Sequence, residues 1–166
     1  YLHAGSLDAS RPMGWKQMKS EGGGVLQDLG SHILDLMVWL LGPLESVMTA
    51  THILYPERIW HDERITVDAE DNVVALCKLA NGAIGTIEAS KIATGAEDEM
   101  RFEIHGTQGA LRFNLMDTSW LEAYDMRDPE SPFGGTRGWK KIATVQRYEK
   151  PASFPTPKAT PGWLRG

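Results

Sequence analysis

Asp28 and His32 stand one helical turn apart in the stretch GGGVLQDLGSHILDLMVWLLGP, which begins at Gly22. That spacing lets an acid and an imidazole reach one small polar molecule together. Histidine titrates near neutrality and a neighbouring carboxylate favours its protonated form, so the two make a proton-transfer pair. At about 100° per residue, Asp28, His32, Asp35 and Trp39 share a stripe roughly 60° wide, while Leu29, Ile33, Leu36 and Leu40 point the opposite way. The polar pair lies on a face the core does not need. The same spacing also suits an ordinary contact on a solvated helix face, or ligation of a metal by Asp28, His32 and a third group. No second ligand cluster supports the metal. Gly22, Gly23 and Gly24 let a ligand approach the backbone closely and leave the positive helix end accessible, or they make a plain flexible loop.

The element that must carry this pair is a helix over 24–41, stopped by Gly42-Pro43. Around it the chain reads as short β-like runs at 47–54, 73–79, 83–91, 102–105, 110–114, 120–125 and 141–148. Asn81-Gly82 and Gly106-Thr107-Gln108-Gly109 sit between such runs and predict hairpins. Short connections require a largely antiparallel arrangement. The expected fold is therefore α+β, a mixed, mostly antiparallel open-faced sheet with helices on one face. Residues 59–71 and 128–138 read as surface loops. Residues 1–150 form the expected domain, and the proline-rich 151–166 an extended arm.

The chain has 166 residues, 42% of them hydrophobic, with a net charge of −5. It is long enough for one sizeable core and lacks the clustered positive field that nucleic acid requires. Its most apolar run, 33–41, is too short for a membrane span and is interrupted by Asp35. Cys77 has no mate, which points to a reducing, cytoplasmic setting. His3, His52, His61 and His105 belong to no motif, and the remaining tryptophans and methionines read as core or rim residues.

Four stretches in order resemble the C-terminal domain of the Gfo/Idh/MocA oxidoreductase family. These are GWKQMKSEGGG, the helix segment GGGVLQDLGSHILDLMVWLLG, LANGAIGTIEASKIATG and FEIHGTQGALRFN. The resemblance implies the catalytic and substrate domain of a dehydrogenase that uses NAD or NADP and acts on a sugar, polyol or related hydroxy compound. It implies catalytic roles for Asp28 and His32, a helix-orienting role for Asp35, and substrate contacts from Lys16 and Lys91. Both lysines stand where relatives often carry arginine, and a point charge replaces a fork of donors there. The cofactor would be held mainly by an N-terminal Rossmann domain whose glycine fingerprint this chain lacks. Glu149-Lys150-Pro151 matches the letters of the family's lysine motif but lies after the sheet, where it is coincidental. A homo-oligomer through the open sheet face is also implied. The alternatives from other classes are a catalytically silent oligomerisation or binding module, and a metal-dependent isomerase or hydrolase.

Overall fold

The computed structural model describes residues 1–130 and 135–144. The expected strand over 141–148 lies partly outside them, and the arm over 151–166 and Glu149-Lys150-Pro151 lie wholly outside. The chain divides into two compact units, Tyr1–Asp98 and Glu99–Gly166. Among the described residues the ladders are all antiparallel, with one isolated parallel bridge between Leu2 and Ser90, so the fold is the expected mostly antiparallel α+β type.

In the first unit, β1 (Leu44–His52), β4 (Asn72–Leu79) and β5 (Ile84–Ser90) form a sheet in the order β1-β4-β5. Side chains alternate across it: Val73, Ala75, Cys77 and Leu79 are buried while Val74, Leu76 and Lys78 are exposed. The turn between β4 and β5 forms as Asn81-Gly82 predicts, with Gly82 at φ 88° and the Asn81 side chain accepting a hydrogen bond from Ala83 N at 3.0 Å.

The helix that covers the buried face departs from the expected regular span. Leu26–Gly30 is wound as a wider π-turn, and the α-helix α1 covers Ser31–Leu41. Gly30 is buried there, with Ala89 of β5 at ordinary contact distance from where its Cβ would stand. The wider turn shifts the phase of the inward stripe. Ile33, Leu34 and Met37 pack on Ala75, Cys77 and Ile87, whereas Leu40, expected inside, is 41% exposed. Leu26, Leu29 and Ile33 pack on Val25, Val73 and Ala89. An isolated helix shorter than about 12–15 residues is marginal in water, while each aliphatic chain buried contributes roughly 1.5–3 kcal/mol. Contact with the sheet therefore holds α1 in place. Gly42 at φ 93° ends it, its N–H bonded to Val38 O at 2.9 Å.

Residues 59–71 are not simply a loop. β2 (Glu57–Trp60) and β3 (Glu63–Thr66) make a separate two-stranded hairpin turned at His61 and Asp62, with φ of 48° and 65°. That turn needs two residues at positive φ, and the absence of glycine conceals it in the sequence; Asp is one of the few other types that tolerate the conformation.

In the second unit β6 (Arg101–Gly106), β7 (Gly109–Asn114), β8 (Trp120–Asp125) and β9 (Lys140–Ala143) form a four-stranded meander. The β6-β7 turn is the hairpin expected from Gly106 and Gly109. A Cβ at Gly109 would collide with the Tyr124 carbonyl, so only glycine fits that position. Phe102 and Phe113 stack across the ladder with ring centroids 5.8 Å apart. Among the described residues, no helix is long and apolar enough to cross a membrane.

Candidate active site

Every residue that the sequence marks for chemistry lies in the first unit. Lys16 sits on a short 3-10 turn, Trp15–Gln17, whose entry is closed by Gly14 N donating to Gln17 Oε1 at 2.9 Å. The chain then doubles back: Gly23 N donates to Met18 O at 2.8 Å and Gly24 N to Lys16 O at 3.0 Å. A Cβ at Gly23 would stand 2.5 Å from the Trp15 carbonyl oxygen, so the Lys16 turn and the helix entry meet only through glycine.

The glycine run does not leave the helix end open to a ligand, contrary to the expectation from its letters. Glu70 fills that space. Its Oε1 accepts from Leu26 N at 3.1 Å, its carbonyl from Val25 N at 2.8 Å, and a Cβ on Gly24 would come within 2.6 Å of the carboxylate. Glu70 thus satisfies two N–H groups at the helix entry, Leu26 through its carboxylate and Val25 through its carbonyl, and sets a negative charge at the positive end. No motif marks Glu70, because the contact spans 44 residues.

Asp28 rises from the π-turn into a pair of cations. Lys16 Nζ donates to Asp28 Oδ2 at 2.7 Å, and Lys91 Nζ lies 2.9 Å from the same oxygen. Lys91 follows the last residue of β5, and its backbone is held on both sides: its N–H donates to Asp71 O and its carbonyl accepts from Ser6 N. The two lysines differ in access. The Lys16 side chain is 46% exposed, that of Lys91 only 7%. Lys91 Nζ is closed off from solvent and stands at ion-pair distance from Asp28. Burial pushes the Asp28 carboxyl up, but the contacts and charges of Lys16 and Lys91 together outweigh it, and the group settles below its ordinary value. Asp28 is held ionised.

The sequence leads one to expect Asp28 to pair with His32. Among the described residues no hydrogen bond or ion pair joins them; the carboxylate is paired with the two ammonium groups instead. His32 is exposed on α1, one turn further on, and its ring faces Tyr1 with centroids 6.4 Å apart and planes tilted by 51°. Asp35 and Trp39 are exposed on the same helix, as the stripe predicts.

Tyr1 is the residue that sequence reasoning missed. The segment that carries it runs beside β5, where Ser90 N donates to Tyr1 O at 2.9 Å and His3 N to Ser90 O at 2.8 Å. Its hydroxyl donates to Asp98 Oδ1 at 2.5 Å. Burial, the Asp98 hydrogen bond and the negative charges of Asp98 and Asp28 together push the phenol above its ordinary range, so it stays protonated. Only the pairing of the first residues with Ser90 brings Tyr1 here, and no local pattern announces a bridge of that length.

Residues 1–112 match the GFO/IDH/MocA C-terminal domain. The chain belongs to this family. It is 33% identical to a levoglucosan dehydrogenase of Pseudarthrobacter phenanthrenivorans over 69% of this chain and 33% of that protein. Among solved structures it is similar to a levoglucosan dehydrogenase in complex with NADH and levoglucosan, at 32% identity and a TM-score of 0.78, over 87% of this chain and 38% of that one. The same enzyme in complex with NADH and L-sorbose gives 32% identity and a TM-score of 0.80, over the same shares. The chain spans about a third of the length of the curated relative it matches first. In this GFO/IDH/MocA domain, the cluster of Lys16, Asp28, His32, Lys91 and Tyr1 is made entirely by Tyr1–Asp98.

Proposed function

We propose that this GFO/IDH/MocA domain is the substrate-binding and proton-handling part of an NAD(P)-dependent oxidoreductase acting on a sugar, polyol or related hydroxy compound. The observation that carries the reading is an exposed imidazole one turn from a carboxylate held ionised by two ammonium groups. The levoglucosan dehydrogenase structures with bound levoglucosan and L-sorbose support the substrate class.

The described residues do not make a dinucleotide cradle: the ladders are antiparallel and the glycine run is packed against Lys16 and Glu70. NAD or NADP, which would accept or return the hydride of the carbinol carbon, belongs in this reading to a Rossmann domain outside the chain. This chain handles the proton. His32 takes it from the substrate hydroxyl at an imidazole nitrogen and gives it back in the reductive direction. Asp28 accepts a hydrogen bond from a substrate hydroxyl, and Lys16, half-exposed, reaches a substrate oxygen. The metal-dependent alternative is disfavoured on physical grounds, since a divalent ion at Asp28 would meet two ammonium groups already in place. The lone cysteine, buried Cys77, agrees with a reducing cytoplasm.

Full-length protein is to be mixed with NAD or NADP and a panel containing levoglucosan, L-sorbose and myo-inositol, following nicotinamide reduction by absorbance. Reduction with at least one sugar or polyol is the expected outcome. Chelator-sensitive turnover without nicotinamide would sink the proposal.

In the same reading the partner protein is a second copy. The uncovered face of the β1-β4-β5 sheet presents Met48 at 72% exposure beside Leu76, and Ile84 at 77% beside Lys78, with Val74 two residues from Leu76 on β4. Exposed apolar side chains grouped in this way are what a self-complementary two-fold contact buries. Sedimentation equilibrium is expected to give an oligomer for the full-length protein and a smaller species for Leu76→Lys. A monomeric parent protein, or a variant that assembles as before, would rule the face out.

A further inference from the structure

Both ammonium groups bear on one oxygen of Asp28. Lys16 donates to Oδ2 at 2.7 Å and Lys91 lies 2.9 Å from it, while Oδ1 accepts no hydrogen bond among the described residues. The two cations are not equivalent. Lys91 is rooted through both its backbone N–H and its carbonyl, its side chain is 7% exposed, and its nitrogen has no surface to offer. A substrate arriving from solvent finds no exposed surface of that nitrogen to bind. Lys16 stands on the other side, 46% exposed, on a turn of three residues.

We propose that Lys91 is a positioning residue and not a substrate ligand. From beneath the site it pins Oδ2 of Asp28, leaving Oδ1 to accept a substrate hydroxyl and leaving Lys16 as the cation able to exchange Asp28 for the substrate. The inference rests on the reading of the site given under Proposed function.

The physical argument has two parts. A buried carboxylate facing one movable cation would be desolvated and unpaired whenever that cation left for the substrate, a costly state. A second, immovable cation removes this difficulty, because Asp28 keeps a partner while Lys16 moves. A carboxylate anchored through one oxygen also has its rotation restricted, which fixes the direction of the other. The groups facing Asp28 are Lys16 from the 3-10 turn, Lys91 beyond β5 and the Tyr1 phenol from the first segment, itself bonded to Asp98; His32 lies one turn along its own helix. Removing Lys91 leaves the burial of Asp28 unchanged and takes away one of two cations, so its carboxyl must titrate at higher pH.

The test compares Lys91→Met with Lys16→Met in the full-length protein with its nicotinamide cofactor. For Lys91→Met, the Asp28 carboxyl, followed by carbon NMR in the substrate-free protein, is expected to titrate at higher pH than in the parent, and kcat/KM is expected to fall because Asp28 loses its fixed partner. For Lys16→Met, KM is expected to rise. A raised KM for Lys91→Met with no upward movement of the Asp28 titration would overturn the proposal. A second measurement covers the case in which Lys91→Met does not fold, and it needs no turnover. Reductive methylation of the unaltered protein, read by mass spectrometry, is expected to label Lys16 and spare Lys91, with levoglucosan or another turned-over sugar protecting Lys16 alone. Ready labelling of Lys91, or its protection by the sugar, would overturn the proposal. Sparing of Lys91 in a protein that turns over no sugar or polyol would instead count against the functional reading.

Discussion

Replacing His32 by alanine in the full-length protein is expected to lower turnover by about 10²- to 10⁴-fold, the usual contribution of a positioned proton-transfer group, while the affinity for nicotinamide cofactor stays unchanged. The expectation follows from where the imidazole stands. It is exposed on α1 and packs into neither core cluster, so its removal costs little stability, about 0.5 kcal/mol or less for an ordinary surface position. Its ring neighbour is Tyr1, whose phenol is kept protonated and bonded to Asp98, which leaves the exposed His32 imidazole as the base on this face. Steady-state kinetics give the rate, calorimetry the cofactor affinity, and thermal unfolding separates lost chemistry from lost fold. A near-normal rate would remove His32 from the mechanism.

Asp28→Ala is expected to fail differently, in folding as well as in turnover. It leaves the ammonium of Lys91 buried with no counter-charge. Breaking a buried ion pair from one side costs about 3–5 kcal/mol, and the lower end applies here because Lys16 opens one side of the cluster to water. The penalty has a definite pH dependence. The Asp28 carboxyl is depressed in the folded protein, so its stabilisation is fully present above the ordinary carboxylate value near 4 and fades as pH falls through the lowered one. Denaturant melts of parent and variant are therefore expected to differ most at neutral pH and to converge in strong acid. A gap below about 1 kcal/mol at pH 7 would mean that surface-like screening, and not burial, governs the cluster.

Much of the scaffold was legible from periodicity and turn chemistry. The alternation of Val73, Ala75, Cys77 and Leu79 against Val74, Leu76 and Lys78 marks a sheet covered on one face, and Asn81-Gly82 marks its turn. What escaped has identifiable causes. The β2-β3 hairpin turns at His61-Asp62, without the glycine that usually advertises positive φ. The π-turn over Leu26–Gly30 breaks the constant angle per residue on which a helical wheel depends, so Leu34 joins Met37 on the sheet while Leu40 stands exposed. The glycine run signals close approach correctly but not what approaches, which is the Lys16 turn and the Glu70 carboxylate.

The sequence by itself singled out the residues proposed for the chemistry, since Asp28 and His32 share a helix face through a local repeat, and the resemblance added Lys16 and Lys91 as cations. Tertiary structure decided how they are wired. Lys16 lies 12 residues from Asp28 and Lys91 reaches it from the far end of β5, so strand register and the glycine-tight turn bring both ammonium groups onto one carboxylate oxygen. The physical reason is range. Helix periodicity acts over a few residues and can be read from letters, whereas an ion pair forms wherever folding brings opposite charges within a few ångströms, and burial then decides which cation is fixed and which can move.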